Sequence, residues 1–436
     1  MKGFMIAAPA SGSGKTTVTL GLLRVLKRRG VALAPVKAGP DYIDPAYHRA
    51  ASGADCFNLD PWAMRPELIS ALSSRMTESG AKLLVAEGMM GLFDGALDGK
   101  GSSADLARLL DLPVVLVVDC ARQSHSIAAL VWGFSQFRKD VLIAGIILNR
   151  VGSARHEAML RGALEPLGIP VLGALPRDAA LSLPERHLGL VQAGEHSDLE
   201  TFLDHAADVI EAHLDLDALQ SLWSRPKRYD AMANVPRLKP LGSHIAVARD
   251  DAFAFAYAHL FEGWRRRGAE ISFFSPLADE TPRQDADAIY LPGGYPELHA
   301  GRLAQARRFQ TGIREAATRG ATIYGECGGY MVLGESLHDA EGVAHPMLGL
   351  LPLETSFAKR KLQLGYRLLE PLEGSPWVEP LKAHEFHYAS IVREGNADRL
   401  FRVRDAVGDD LGEAGLRVGS VSGSFMHVID FCGERA

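Results

Sequence analysis

Six short apolar runs in the first half of the chain constrain its fold more than any other feature. Each run is bounded by Gly, Pro, Asp or Asn, and stretches long enough for helices separate them. Apolar runs of this length are typical of strands that are buried on both faces of a parallel sheet. The pattern predicts a doubly wound α/β domain with a mostly parallel sheet. The predicted strands are residues 4–8, 31–36, 83–86, 114–118, 144–148 and 171–175.

A second α/β series follows in the C-terminal half, with apolar runs at 244–248, 271–274, 288–291 and 322–324. Residues 226–243 between the two series are rich in proline and charge and show little periodicity, which is typical of a linker. A length of 436 residues suits two or three domains of roughly 100–200 residues each. We therefore predict domains at 1–225 and 244–436, joined by a linker at 226–243.

Composition and charge narrow the range of partners. The net charge of −6 gives no reason to expect nucleic acid as a partner. No stretch of the sequence approaches the roughly 20 apolar residues of a membrane helix. The four cysteines are far apart and form no C-x-x-C pair, so they indicate neither a zinc site nor a disulfide framework. We predict a cytoplasmic protein with no nucleic-acid or membrane partner, and a homodimer stays open as its assembly.

The segment APASGSGKTT, residues 8–17, follows the first strand and opens a helix predicted over 15–29. Its small residues let backbone N–H groups turn toward phosphate oxygens, and a helix N-terminus favours anions. Pro9 stands where the pattern G-x-x-x-x-G-K-[ST] has glycine. A Gly-rich turn with a chance lysine is the alternative, but the order of strand, loop and helix favours an ATP site. The predicted ATP-binding residues of this loop are Ser11, Gly12, Ser13, Gly14, Lys15, Thr16 and Thr17.

Acidic and amide side chains follow the predicted strands at their carboxyl ends, where ligands collect in open α/β sheets. Asp41 and Glu87 supply hard oxygens of the kind that Mg²⁺ prefers, and the Thr16 hydroxyl is the third predicted ligand. Asp119 is either part of this site or a turn residue. Asn149 could read an adenine edge with its two-sided amide, although Asn is also common in turns.

The segment GECGG, residues 325–329, follows another predicted strand and precedes a helix. Such a turn exposes its central side chain, so Cys327 is a candidate nucleophile rather than a buried structural cysteine. The following helix N-terminus is expected to lower the pKa of its thiol. Gly293 and Gly294 follow the preceding strand and could form an oxyanion hole or a plain turn. The C-terminal half holds eight histidines, and spacing alone does not show which one is the base.

These motifs resemble those of the cobyrinic or hydrogenobyrinic acid a,c-diamide synthases of the cobalamin pathway, and the resemblance covers nearly the whole chain. The N-terminal part is similar to dethiobiotin-synthetase-type P-loop enzymes. The C-terminal part is similar to a class I glutamine amidotransferase domain. The matching segments are residues 11–17, 37–45, 87–94, 183–187, 274–277, 292–297, 326–329, 364–366, 384–388 and 424–427.

The resemblance implies that Cys327 is the nucleophile and that His427, in the segment SFMH, activates it. His384 and His387 then have a different, structural role. Ordinary class I glutaminases carry a Glu two residues after this histidine, whereas this chain has Ile429. The following Asp430 would project to the other side of a strand. A dyad, or a third member from elsewhere in the chain, is therefore expected.

The activity implied is amidation of the a and c acetate groups of a corrinoid polycarboxylate, with ATP, Mg²⁺ and L-glutamine as co-substrates and cofactor. Residues that would place the acid or the metal are Lys37, Tyr42, Asp44 and Asp94. Hydrogenobyrinic acid is the expected substrate. The alternatives are cobyrinic acid, which already carries cobalt, and nickel sirohydrochlorin. A P-loop nucleotide switch with a vestigial glutaminase domain is the rival from another class.

Overall fold

The computed structural model describes residues 1–186, 189–224 and 235–433, and the chain divides into two units. The first unit contains Met1–Trp62 and Pro66–Val235, and the second contains Ala63–Arg65 and Pro236–Ala436. Half of the predicted linker, residues 226–234, lies outside the described residues, as does His187 of the segment LPERH.

The described part of the first unit is built on a seven-stranded sheet in the order β3-β2-β4-β1-β5-β6-β7, with every neighbouring pair parallel. The predicted parallel α/β fold is therefore confirmed. The strands are β1 (Lys2–Ala7), β2 (Leu33–Ala38), β3 (Phe57–Leu59), β4 (Leu83–Glu87), β5 (Val114–Asp119), β6 (Ile143–Val151) and β7 (Val171–Pro176). The short antiparallel pair β8 (Glu185–Arg186) and β9 (Gly189–Leu190) follows.

The six predicted strands of this unit all form, because the residues of β1, β2, β4 and β5 are buried almost throughout and need apolar side chains on both faces. The strand β3 was not predicted, since three residues are too few to show a pattern. The helices are α1 (Lys15–Arg28), α2 (Asp44–Ser52), α3 (Pro66–Glu78), α4 (Ser103–Leu110), α5 (Ile127–Phe137), α6 (Ala154–Leu164), α7 (Leu199–His213) and α8 (Leu216–Ser221).

Helix α1 carries the phosphate loop at its first turn, and its packing fixes where that loop points. Its apolar residues are buried, and Gly21 lets the helix approach α7 closely, because a Cβ at Gly21 would lie 2.7 Å from the carbonyl oxygen of Ala206. Arg24 on the partly exposed side of α1 donates to Asp204 of α7 at 2.8 Å. The middle of α1 is thus held against α7 by close packing at Gly21 and by the ion pair of Arg24.

The second unit contains a ten-stranded mixed sheet in its described part, in the order β11-β10-β12-β13-β22-β21-β20-β17-β18-β23. Its strands are β10 (His244–Ala248), β11 (Glu270–Phe274), β12 (Ala288–Leu291), β13 (Thr322–Glu326), β17 (Gln363–Pro371), β18 (Leu381–His387), β20 (Asp398–Asp405), β21 (Asp410–Val418), β22 (Val421–Ser424) and β23 (Met426–Phe431). A four-stranded sheet contains β14 (Ser336–His338), β15 (Ala344–Pro346), β16 (Leu353–Ser356) and β19 (Ser390–Glu394). The helices are α9 (Ala258–Arg266), α10 (Ala300–Gln305), α11 (Arg307–Thr318) and α12 (Gly328–Leu333).

Three neighbouring strands of this sheet, β12, β13 and β22, run parallel and end at the same edge. The two glycines of the predicted oxyanion loop follow β12, Cys327 follows β13, and the segment that leads to His427 follows β22. Parallel pairing therefore brings three segments that are far apart in sequence to one place.

None of the helices in the described part of the chain has the length and hydropathy that crossing a bilayer requires.

Candidate functional site

The phosphate loop between β1 and α1 turns on two glycines with left-handed backbone. Gly12 has φ 76° and Gly14 has φ 88°, a region that residues with side chains rarely adopt. Space is also short at Gly14, because a Cβ there would collide with the Nδ2 atom of Asn149. The Ser13 hydroxyl donates to the Ala10 carbonyl at 2.8 Å and closes the turn. The loop is therefore narrow and its conformation is specified by glycine.

Lys15 is the first residue of α1, and its side chain is only 7% exposed. Burial lowers the pKa of its ammonium, although Glu87 acts in the opposite direction. Among the described residues no carboxylate oxygen lies within 4.0 Å of Lys15. Ser11 is exposed at the tip of the loop, and the Thr17 hydroxyl donates to the Leu181 carbonyl at 3.3 Å. A buried ammonium at a helix N-terminus is suited to an anionic ligand.

Asn149, near the carboxyl end of β6, is hydrogen-bonded to the phosphate loop. Its Nδ2 donates to the Ser13 carbonyl at 2.9 Å, and its Oδ1 accepts from the Arg150 backbone N–H at 3.0 Å. The amide group thus has a partner at each end, and a role in reading adenine stays a prediction. Asp119 accepts from the Ala121 N–H at 2.9 Å and from Arg150 at 2.6 Å, in line with the turn alternative.

A cavity of about 650 Å³ lies beside the phosphate loop within the first unit. Its lining includes Gly14 and Thr17 from the start of α1, Asn149 from β6, and the apolar side chains of Pro176 and Leu181. The volume is in the range of small-molecule sites, and the mixture of apolar walls with a few polar groups is also typical of them. The cavity is therefore a candidate site for the base and ribose of a nucleotide.

A buried network of charges lies at the carboxyl ends of β2 and β4, next to the phosphate loop. Lys37 and Glu87 are register partners on these parallel strands, and the lysine Nζ lies 2.9 Å from Glu87 Oε1. Lys37 also donates to Asp44. The Thr16 hydroxyl lies 2.7 Å from Glu87 Oε1 and 3.5 Å from Asp44 Oδ2. One hydroxyl, two carboxylates and one ammonium therefore meet beside the loop.

The electrostatics of this network follow from burial and from its mixed charges. Burial by itself raises the pKa of Glu87, but Lys37 and His48 hold that pKa well below its usual range. Burial and the nearby Asp41 raise the pKa of Asp44 to about 6, although Lys37 acts against them. For Lys37, burial is outweighed by Asp44 and Glu87, so its pKa is raised well above the usual value. Glu87 is therefore a carboxylate at neutral pH.

Of the other predicted residues, Asp41 lies at the edge of the network, with its Oδ2 atom 4.0 Å from Lys37 Nζ. Asp41 Oδ1 accepts the backbone N–H groups of Ile43 and Asp44 at 2.9 and 3.0 Å, and this carboxylate holds the turn that opens α2. Tyr42 is half-buried. Asp94 is exposed and accepts the Gly91 N–H at 2.8 Å. The geometry thus brings Asp44, rather than Asp41, next to Thr16 and Glu87.

The second cluster centres on Cys327, which is the turn residue between β13 and α12. Its backbone has φ 47° and ψ −102°, an unusual conformation for a residue with a side chain. The Cys327 N–H donates to the Ser424 carbonyl at 2.8 Å, which ties this turn to the end of β22. Close packing requires Gly329, because a Cβ there would collide with the Leu291 carbonyl. The sharp turn predicted from the segment GECGG is thus present.

Cys327, His427 and Gly293 meet at the carboxyl edge of the sheet. A Cβ added to Gly293 would lie 3.2 Å from His427 Nε2 and 3.3 Å from Cys327 Cβ, so the glycine separates the two side chains. The backbones of Gly294 and Gly328 are adjacent. A Cβ added to Gly328 would lie 3.0 Å from the backbone nitrogen of Gly294. Thiol, imidazole and two glycine-rich backbones thus surround one small space.

The pKa of the Cys327 thiol differs from the expectation. The sequence predicts a pKa lowered by the helix N-terminus, but burial raises it well above its usual range, and the negative charge of Glu297 acts in the same direction. The Gly328 N–H lowers it by a smaller amount. Burial also lowers the pKa of His427 well below its usual value, with contributions from His384 and His387. The neutral imidazole is therefore available as a base, and the thiol needs one.

Comparisons with known proteins cover both clusters. Residues 4–191 match the model of the CobQ/CobB/MinD/ParA nucleotide binding domain, and residues 244–433 match that of the CobB/CobQ-like glutamine amidotransferase domain. A Brucella anthropi protein named hydrogenobyrinate a,c-diamide synthase is 92% identical over 436 residues, which is 100% of both chains. Proteins of the same name from Sinorhizobium sp and Rhodobacter capsulatus are 63% and 53% identical and cover 99% and 98% of this chain, and 100% and 98% of their own. The chain belongs to the hydrogenobyrinate a,c-diamide synthase family.

One buried residue of the first unit, His48, was not among the residues predicted from the sequence. His48 of α2 lies 2.6 Å from Glu87 Oε2 through its Nε2, and 3.4 Å from the Cys56 sulfur through its Nδ1. Burial would lower the pKa of His48, but Cys56 and Glu87 raise it to about 10. The sequence does contain a signal that points to His48: it is four residues after Asp44, so the two side chains lie on one face of a helix.

The two histidines of the segment HEFHY make packing contacts, and their structural role stays a prediction. His384 is the cross-strand partner of His427 and packs edge-on against Tyr366, with ring centroids 5.3 Å apart. Burial lowers the pKa of His384 to about 3. His387 stacks on Phe425 at 3.8 Å and lies 3.0 Å from the Ala389 carbonyl. These rings pack around the strand that carries His427.

The residues that follow His427 also agree with the expectation from strand alternation. Ile429 is a buried core residue. Asp430 pairs with Arg65 of the same unit at 2.9 Å, and its carboxylate is taken up by that contact. Neither position supplies the carboxylate that ordinary class I glutaminases place near the base.

Proposed function

We propose that this protein converts hydrogenobyrinic acid into its a,c-diamide, with ATP as the activating reagent and L-glutamine as the ammonia donor. One observation carries this proposal: the same chain contains two different sites. In one, a phosphate loop lies beside a buried network of charges. In the other, a cysteine in a sharp turn lies beside a buried histidine. The substrate comes from the name of relatives that match the chain over its whole length. The nucleotide switch is less favoured, because it has no use for the second cluster.

In the glutaminase half-reaction, His427 takes the thiol proton of Cys327 and the sulfur attacks the amide carbon of glutamine. The carbonyl oxygen becomes negative and is stabilised by backbone N–H groups, for which Gly294 and Gly328 are the best placed and Gly293 supplies the room. Collapse breaks the C–N bond, and His427 returns the proton to the departing ammonia. Water then hydrolyses the thioester and releases glutamate.

In the synthetase half-reaction, a substrate carboxylate attacks the γ-phosphorus of ATP, which gives an acyl phosphate and ADP. Ammonia then attacks the acyl carbon, and the amide forms as phosphate leaves. Lys15 at the start of α1 offsets negative charge on the phosphates, and the phosphate loop orients them. The buried Lys37 is paired with Asp44 and Glu87 and offsets their negative charge beside the phosphate loop.

A magnesium ion fits the donors at this site. Thr16 Oγ1, Glu87 and Asp44 present hard oxygens close to the phosphate loop. Within the described residues no group of three or more His, Cys, Asp or Glu side chains is arranged to hold a metal. Mg²⁺ generally takes only one or two carboxylates and fills its other positions with phosphate oxygens and water. When bound, the ion would neutralise charge on the β- and γ-phosphates. His48 holds Glu87 in place through the contact at 2.6 Å.

The Gly293→Ala substitution tests the close approach at the glutaminase site. The new methyl group would push His427 away from Cys327, and a misplacement on the order of 1 Å costs roughly 100-fold in rate. We expect kcat for glutamine hydrolysis to fall by about that factor, while amidation from added ammonium salt is unchanged. Gly301→Ala is the matched control, because the nearest atom to its Cβ would be 3.6 Å away. Wild-type glutaminase activity in Gly293→Ala would contradict this arrangement.

The substrate assignment is tested by product analysis. The enzyme is incubated with glutamine, MgATP and either hydrogenobyrinic acid or cobyrinic acid, and products are identified by mass spectrometry. We expect two amides on the cobalt-free acid. Two amides on the cobalt form alone would support the alternative substrate. Amide on neither acid, with glutamine hydrolysis intact, would leave an amidotransferase and overturn the corrinoid assignment, and nickel sirohydrochlorin would be the next substrate to assay.

The assembly and the location of the protein stay predictions. A homodimer is supported by helix α5, whose Trp132 and Phe137 side chains are 59% and 72% exposed. Phe137 also packs against Phe93, with ring centroids 4.9 Å apart, which extends this apolar surface. Light scattering of the wild-type protein gives its mass directly. A cytoplasmic location agrees with the four free cysteines.

A further inference from the structure

The glutaminase site contains a buried carboxylate that the sequence analysis did not assign. Glu326 is the last residue of β13, directly before Cys327, and it is 1% exposed. Its Oε2 atom lies 3.8 Å from Nδ1 of His427. The Nε2 atom of the same ring lies on the side of Gly293 and Cys327. The two nitrogens of the imidazole therefore face a carboxylate and a thiol respectively.

Both oxygens of Glu326 are held in place by hydrogen bonds. The Tyr290 hydroxyl of β12 donates to Oε2 at 2.6 Å, and the Val428 backbone N–H of β23 donates to Oε1 at 3.1 Å. The second bond reaches the residue after His427, so Glu326 fixes the backbone of the base as well as facing its ring. A carboxylate that is buried with several partners has a defined direction. That direction is toward the imidazole.

We propose that Glu326 is the third member of the glutaminase site, a positioning residue that orients His427 and stabilises its charged form. The proposal rests on the proposed glutaminase function. The carboxylate that ordinary class I glutaminases take from two residues after the histidine comes here from the residue before the nucleophile. Ile429 and Asp430, at or next to the usual position, have other surroundings.

The proton balance of this arrangement is simple. The thiol proton of Cys327 moves to Nε2 of His427, and the Nδ1 proton stays on the ring. The imidazolium then carries a positive charge close to the Glu326 carboxylate, which takes no proton itself. The distance of 3.8 Å is longer than a hydrogen bond in the resting enzyme, and such contacts shorten in the substrate complex. Charge attraction in a buried site is strong because water does not screen it.

The ionisation of Glu326 gives a signature that a purely structural residue would not have. Burial raises the pKa of Glu326 to about 8, while Tyr290 and Val428 act to lower it. The other titratable groups near this pair are Cys327, Tyr324, His384 and His387. Because an acid with a raised pKa becomes a carboxylate only as the pH passes that value, glutamine hydrolysis should rise through about pH 8 in the wild type.

The test compares Glu326→Gln with the wild type in the full-length chain. Glutamine hydrolysis is measured from pH 6 to pH 10, and kcat and KM are determined separately. We expect kcat to fall by roughly 100-fold with KM within about twofold, and the rise near pH 8 to disappear. Glu270→Gln, an exposed carboxylate in the same unit, is the control and should behave as wild type. Amidation from added ammonium salt shows whether the variant has folded.

A second variant separates the charge of Glu326 from its packing. Tyr290→Phe keeps the ring but removes the hydroxyl that stabilises the carboxylate, so the rise in rate should move to higher pH. An unchanged pH profile and kcat in Glu326→Gln would overturn the proposal. Loss of ammonia-dependent amidation together with glutaminase would also overturn it, because the role would then be structural. If the wild type itself hydrolyses no glutamine, the proposed function fails and this inference fails with it.

Discussion

The Cys327→Ala variant is expected to lose glutamine-dependent amide formation and to keep amide formation from ammonia. The thiol is the nucleophile of the proposed reaction, and no other group in the cluster can form the thioester. We expect glutamine hydrolysis to fall by at least about 10⁴-fold. The synthetase reaction should continue with ammonium salt, because its groups are the phosphate loop and the Lys37 network of the first unit. Glutamate release and amidated product are measured in parallel.

The control for this variant is Cys432→Ala, which removes a thiol from the same unit outside the cluster. It should retain both activities. The Cys327→Ser variant keeps the size of the side chain and should be as inactive as alanine, because a hydroxyl is a much weaker nucleophile at neutral pH. Substantial glutamine hydrolysis by Cys327→Ala would show that the nucleophile is another residue. Loss of ammonia-dependent amidation as well would show that the substitution disturbs more than the thiol.

The Lys15→Ala variant is expected to have the opposite pattern. Lys15 is buried at the start of α1, and burial already lowers the pKa of its ammonium, so the site favours an anion that restores the charge. Its removal withdraws the positive charge from the transferring phosphate, and we expect amidation with either glutamine or ammonia to fall by roughly 10³-fold. Glutamine hydrolysis should continue. The measurements are ADP release, nucleotide affinity by calorimetry, and product mass.

Lys27→Ala is the matched control, since this lysine is exposed near the end of the same helix. Its amidation rates should equal those of the wild type. Wild-type amidation by Lys15→Ala would remove the phosphate loop from the proposed mechanism. The two variants together separate the half-reactions, because each is expected to lose one of them and to keep the other.

Much of the fold could be predicted because its signals are local. A strand that is buried on both faces must be apolar throughout, and the strands β1, β2 and β4 to β7 carry that pattern. The phosphate loop and the turn at Cys327 are also local, since each is a short run of small residues between a strand and a helix. Pro9 did not prevent the loop from forming, because Gly12 and Gly14 supply the left-handed backbone that it needs.

The pKa of Cys327 shows where a local argument failed. The helix N-terminus and the Gly328 N–H act to lower this pKa, as the sequence suggests, but burial has a larger effect in the opposite direction. Burial depends on residues from several strands and does not follow from the segment GECGG itself. The same holds for Asn149, whose amide donates to the phosphate loop from a distant strand, a contact that its own segment does not indicate.

The amino-acid sequence alone determined the two α/β units, the phosphate loop and the sharp turn at Cys327, because each depends on neighbours in the chain. Only the tertiary structure decided which polar side chains lie next to the phosphate loop and next to the turn at Cys327. Pairing of β13 with β22 brings His427 beside Cys327, and pairing of β2 with β4 brings Lys37 beside Glu87. Glu326 acquires its place next to His427 in the same way. Such contacts depend on strand order and register across long separations, and no spacing in the sequence encodes them.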